Sequence, residues 1–111
     1  MKAAIFFADE KVHAAYRALV DSRRSEDRGV AAMLCRAFDA IEQNAFAGTQ
    51  LPKRLIPNEY HQRYDPIDVL WKFDMAGVWR LIYAVSGRDG EVRAIVIEWF
   101  DHGKYERRFD Y

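Results

Sequence analysis

The closing stretch EWFDHGKYERRFDY, Glu98 to Tyr111, places His102, Lys104, Tyr105, Arg107 and Arg108 directly after the most hydrophobic strand candidate of the chain. An imidazole with a reference pKa of about 6.5 exchanges a proton near neutrality, so His102 can act as acid or base. Glu98 is a rival base, and Tyr105 can donate a proton or stack on a flat ring. Lys104 and the two arginines add positive charge that suits an anionic partner. Acid–base chemistry on an anion needs these groups held against further cations, and the elements upstream decide whether they are.

Three strand candidates precede or form this region: Val69 to Asp74, Val78 to Val85 and Glu91 to Phe100. Met75-Ala76-Gly77 and Gly87-Arg88-Asp89-Gly90 separate them with turn chemistry, which predicts an antiparallel meander. Side chains alternate across a strand, so Trp71 and Phe73 share one face, as do Trp79, Leu81, Tyr83 and Val85. If the bulky faces are buried, Lys72 and Arg80 both go to the opposite face. A three-residue turn at Met75-Ala76-Gly77 sets them directly across from each other, where like charges repel and an anion, from Glu98 or from a ligand, relieves them. Glu98 faces Arg80 if Arg88 to Gly90 is a three-residue loop, and does not if Asp89-Gly90 is a two-residue turn.

Upstream, Ala3-Ala4-Ile5-Phe6-Phe7 reads as a first strand. Asp9 caps a helix with Val12, Tyr16, Leu19 and Val20 on one face. Ser25, followed by Glu26 and Asp27, reads as the cap of a second helix with the stripe Val30, Met33, Leu34, Ala37, Phe38, Ile41 and Ala45, and Gly48 as its stop. Residues 49 to 68 hold all three prolines and read as irregular, with Tyr60, His61 and Tyr64 as an aromatic cluster that packs the loop down. The expected architecture is α+β, in the order β-α-α-β-β-β. A helical hairpin packs on one face of a small, mainly antiparallel sheet of about four strands, and the other face is free for chemistry.

With 111 residues, half of them hydrophobic, residues 1–111 read as a single domain with one core. Lys plus Arg equals Asp plus Glu at 17 each, which argues against a generic nucleic-acid coat protein but leaves room for a local cationic site. The lone Cys35 excludes an internal disulfide and reads as a bystander thiol. His13, His61 and His102 show no metal-ligand spacing, so no metal and no cofactor are expected. No apolar run approaches a membrane span, and the expected compartment is the cytoplasm.

From Trp79 to Tyr105, GVWRLIYAV followed by a turn, a second apolar strand and DHGKYERRF resembles the RelE/ParE superfamily of small bacterial and archaeal toxins. The resemblance implies the β-α-α-β-β-β fold. For the RelE-like branch it implies the toxin of a type II toxin–antitoxin pair, a metal-independent, ribosome-dependent endoribonuclease that cuts mRNA (an mRNA interferase). The implied partners are a small antitoxin protein, the ribosome and mRNA. ParE-like relatives share the fold and act on DNA gyrase, so a non-catalytic or degenerate protein-binding module is the alternative. Arg80 matches the family's strand arginine, which would contact the scissile phosphate. Lys53 and Arg54 resemble basic residues that precede the central strands, and His102, Lys104 and Tyr105 match the tail that supplies acid, base or base-stacking groups. The 2′-hydroxyl is the nucleophile in such cleavage, so RNA is the implied substrate. Lys72 or Lys53 would add a point charge beside Arg80, and Arg107 and Arg108 would add salt-sensitive affinity for RNA.

Overall fold

A computed structural model describes residues 1–55 and 69–101. It is an α+β domain with two helices and a five-stranded mixed sheet. The elements are β1 (Ala4–Phe7), α1 (Glu10–Asp21), α2 (Ser25–Gln43), β2 (Thr49–Leu51), β3 (Leu70–Asp74), β4 (Trp79–Arg88) and β5 (Glu91–Asp101), with a 3-10 turn at Lys53–Leu55 after β2. The strands lie in the order β1-β5-β4-β3-β2. β1 runs parallel to β5, and the other neighbours are antiparallel.

The helical hairpin forms for local reasons. Asp9 caps α1 by accepting the Val12 N–H at 2.9 Å, as expected of a short carboxylate at that position. At α2 the cap falls elsewhere than on Ser25. Ser25 is already helical, Arg24 stands at the cap position without a side-chain bond, and Ser22 Oγ accepts the Arg24 N–H while donating to Asp27 Oδ2 at 2.7 Å. The Ser22 hydroxyl thus joins the link between the helices to the first turn of α2. Leu34, Ala37, Phe38 and Ile41 of α2 are buried, as their spacing requires. Val20, expected on the buried face of α1, is instead 50% exposed.

One core lies between hairpin and sheet. Val12, Leu34, Ala37, Phe38 and Ile41 meet Leu81, Tyr83, Ala94 and Val96, with Trp71, Phe73, Trp79 and Trp99 packed at its edge. The parity expected for β3 and β4 is the one observed. The opposite sheet face carries a second buried cluster of Leu51, Leu70, Ile82, Ile97 and Phe100. That face is therefore not free along its length, and chemistry on it is confined to what lies beside the apolar cluster.

Gly48 does not stop α2, which ends at Gln43 with Asn44 as its cap. Asn44 Oδ1 accepts both the Phe46 N–H, at 3.1 Å, and the N-terminal ammonium, at 3.2 Å. Gly48 is instead where the chain crosses the sheet: a Cβ there would overlap the backbone carbonyl of Lys72 and lie 2.9 Å from the Tyr83 hydroxyl. This close approach starts β2, the fifth strand, where an irregular segment was expected. Three residues of Thr-Gln-Leu carry too little periodicity to be read as a strand. No described helix is long and apolar enough to cross a membrane.

The Tyr83 side chain joins the α2–β2 connection to the core. Its hydroxyl donates to the Ala45 carbonyl at 2.9 Å and accepts the Gly48 N–H at 3.1 Å. Burial raises the phenol above its ordinary 10.0, opposed by the Gly48 bond. The folded chain therefore holds this proton to higher pH than the unfolded chain. Its contribution is complete below pH 10 and is lost as pH rises through the folded value. Tyr83→Phe leaves the Gly48 N–H and the Ala45 carbonyl without their partner, so urea unfolding should show a loss of about 1–3 kcal/mol. The variant should also be less sensitive than wild type to pH above 10.

Candidate functional site

The β3–β4 hairpin closes with Met75 N–H on the Trp79 carbonyl at 3.0 Å, leaving Ala76-Gly77-Val78 as the loop. Gly77 takes a positive φ of 68°, which glycine adopts at no steric cost. The loop is one residue later than expected, because Met75 is buried on the helix side and continues the alternation of β3. The register follows: Lys72 stands opposite Ile82, and Asp74 stands opposite Arg80. The expected face-to-face pair of Lys72 and Arg80 is thus replaced by a diagonal pair with Asp74 between them.

Asp74 Oδ1 lies 2.9 Å from Arg80 Nε and 3.5 Å from Lys72 Nζ. Arg80 Nη1 donates to the Trp79 carbonyl at 3.0 Å. Both cations are mostly covered, with side chains 22% exposed for Lys72 and 18% for Arg80, whereas Asp74 is 57% exposed. Arg80 Nε is buried and makes no hydrogen bond, so its contact with Asp74 is one of charge and not of an aligned N–H. One oxygen of this carboxylate thus lies against both cations.

The β4–β5 hairpin turns on Asp89 and Gly90, with φ values of 52° and 78°, a two-residue turn that closes on Arg88 and Glu91. From that turn alone Glu98 would share the helix-side face. A register shift between the Tyr83↔Val96 and Ile82↔Glu98 pairs, with Ile97 as the extra residue, changes this. Beyond the bulge Glu98 lies opposite Ile82, and Phe100 lies opposite Arg80. The bulge therefore turns Glu98 to the Lys72 and Arg80 side of the sheet. Two adjacent rows result, Lys72–Ile82–Glu98 and Asp74–Arg80–Phe100. Glu98 does not face Arg80 directly, and its backbone stands roughly 10 Å from that of Lys72, two strand spacings away. Glu98 also lines a groove of about 250 Å³ with Lys11, Val12, Ala15, Ile97 and Trp99, between α1 and the edge of β5.

Lys53 and Arg54 sit in the 3-10 turn, both exposed. They follow the end of β2 that pairs with Leu70, two residues of strand from Lys72 and four, roughly 13 Å, from the Asp74–Arg80 pair, so they are set apart from Arg80. His102, Lys104, Tyr105, Arg107 and Arg108 lie outside the described residues, as do Tyr60, His61 and Tyr64. β5 carries the chain toward them and ends at Asp101, opposite Trp79 and one position from Arg80.

Sequence reasoning missed one participant in the cluster and one further cation on the same sheet face. Asp74 has the same parity as Lys72, and its place at the end of the strand candidate hides that signal. Arg93 lies on the same sheet face, toward the Asp89-Gly90 turn, with its guanidinium 4.9 Å over the Phe6 ring and Nε 3.7 Å from Glu91. Among the described residues no group of three His, Cys, Asp or Glu side chains is placed to hold a metal ion. Cys35 is exposed.

Comparison with protein-family models, with curated proteins and with solved structures finds no match to this chain. The functional reading is carried by its residues and their arrangement.

Proposed function

We propose that this chain is the toxin of a type II toxin–antitoxin pair, a RelE-like, ribosome-dependent mRNA endoribonuclease that works without a metal in the cytoplasm. The observation that carries the reading is the placement of Lys72 and Arg80 around one point on the sheet face away from the helices. It is joined by the bulge that turns Glu98 to that face. Arg80 grips the scissile phosphate with its planar guanidinium, and Lys72 adds a point charge as negative charge builds on the phosphoryl oxygens. Glu98 or His102 takes the 2′-hydroxyl proton. His102 or Tyr105 supplies one to the departing 5′-oxygen, and Lys104 lies between them in sequence. Lys53, Arg54, Arg107 and Arg108 serve affinity for RNA, with the salt sensitivity that phosphate contacts carry. A small antitoxin protein neutralises the toxin.

A second reading has its own support. The Asp74–Arg80 contact and the zero net charge favour a RelE/ParE-like module that binds a protein partner and cuts nothing. Induced expression in a bacterial host separates the two. The first reading expects growth arrest within a few generations together with truncated transcripts. Arrest with intact transcripts would leave only the protein-binding module.

A further inference from the structure

The arrangement around Arg80 points to a role for Asp74 that the family resemblance does not supply. A guanidinium that is largely covered needs a counter-charge, and among its contacts with described residues Asp74 is the one anion. The fit is poor. One carboxylate oxygen serves two cations, and Nε at 2.9 Å makes no aligned hydrogen bond with it. Among the described residues, the Trp79 carbonyl takes the one hydrogen bond that the guanidinium donates. A tetrahedral phosphate, with more oxygens in a fork-compatible geometry, can satisfy donors that this carboxylate leaves unmet. Asp74 is also the most exposed member of the cluster, so its carboxylate hydrates readily when it turns out into water.

We propose that Asp74 is a resident counter-anion: its carboxylate stands where a phosphate group binds between Lys72 and Arg80, and an RNA phosphodiester enters by displacing it. The inference rests on reading Lys72 and Arg80 as a phosphate site and adds the residue that sets its affinity. Asp74 is then a brake on RNA binding, and neutralising it strengthens the site. An ordinary positioning carboxylate would do the opposite, because its removal would loosen Arg80 and weaken binding.

The test follows the Arg80 Nε–H resonance of the full chain by NMR during titration with inorganic phosphate and, separately, with a 2′-O-methyl RNA tetranucleotide that cannot be cleaved. In Asp74→Asn both titrations should saturate at about fivefold lower ligand concentration than in wild type, the effect of removing one partly exposed ion pair. Asp89→Asn makes the same charge change at the distant β4–β5 turn, where asparagine suits the positive φ. It should stay within about twofold of wild type, since a screened remote charge contributes little. Asp74→Ser provides a second neutral variant at this exposed position, and the backbone spectrum confirms that each variant is folded. Equal or weaker binding by Asp74→Asn and Asp74→Ser overturns the role given to Asp74 while leaving the phosphate site in place. An Arg80 signal that moves with phosphate but not with RNA keeps the displacement and overturns the nucleic-acid reading. An Arg80 signal that moves with neither probe in any of the proteins overturns both.

Discussion

Arg80→Ala is expected to abolish, at equal protein level, the growth arrest that the proposed toxin function predicts for the wild-type chain. The guanidinium is the planar, permanently charged group in the cluster, and it is held with its Nη1 on the Trp79 carbonyl and its Nε beside Asp74. Removing one preorganised donor aimed at developing negative charge typically lowers turnover about 10²–10³-fold. Folding should be little affected. Asp74 is 57% exposed and hydrates when its partner goes, so the loss of the pair costs under about 1 kcal/mol. Arg80→Lys keeps a charge but loses the fork and is expected to restore only part of the activity. Immunoblotting fixes the protein level, and growth curves read the effect. Undiminished arrest by Arg80→Ala would remove Arg80 from the chemistry.

Gly48→Ala is expected to destabilise the fold by about 1–3 kcal/mol, the range for forcing atoms into a packed site. The added methyl would meet the Lys72 carbonyl oxygen and the Tyr83 hydroxyl, the latter at 2.9 Å. The carbonyl is backbone of a paired strand, and the hydroxyl is fixed by bonds to Ala45 and Gly48. Neither can yield without parting β2 from β3, whose first pair is Thr49 with Lys72. The same substitution should therefore disturb the Lys72 end of the site. Urea denaturation reads the first effect, and a change below about 0.5 kcal/mol, the level of an ordinary surface substitution, would contradict the close crossing at Gly48.

Much of this architecture was legible because short-range physics specifies it. Asp9 caps the helix it precedes, the α2 stripe is buried, and β3 and β4 turn Trp71, Phe73, Leu81 and Tyr83 toward the hairpin. The Asp89-Gly90 turn was one of two readings open for the β4–β5 hairpin, and it is the one that forms. Three features were not legible, each decided by packing at long range. β2 is too short to carry a pattern and exists because Gly48 and Tyr83 seat it beside β3. The β3–β4 loop starts one residue later because Met75 has a place in the core, which shifts the pairing by two residues and exchanges a repelling pair for Asp74 opposite Arg80. The bulge at Ile97 has no local signal such as glycine, yet it decides which face Glu98 occupies. The second buried cluster followed from parity but not from the assumption that one face of the sheet stays bare. Lys72, Arg80 and Glu98 share a side of the sheet as chemistry would need, Lys53 and Arg54 stand apart from Arg80, and the tail residues beyond Asp101 belong to the undescribed part of the chain.

If Lys72 and Arg80 form a phosphate site that cuts mRNA on the ribosome, primer extension on a defined mRNA translated by purified ribosomes in the presence of the purified chain reads the cleavage itself. Wild type should produce new 5′ ends within ribosome-occupied codons, none on the same mRNA without ribosomes, and Arg80→Ala should lose them by about 10²-fold or more. Intact mRNA with folded wild-type protein, or cleavage undiminished in Arg80→Ala, would contradict that role of the site.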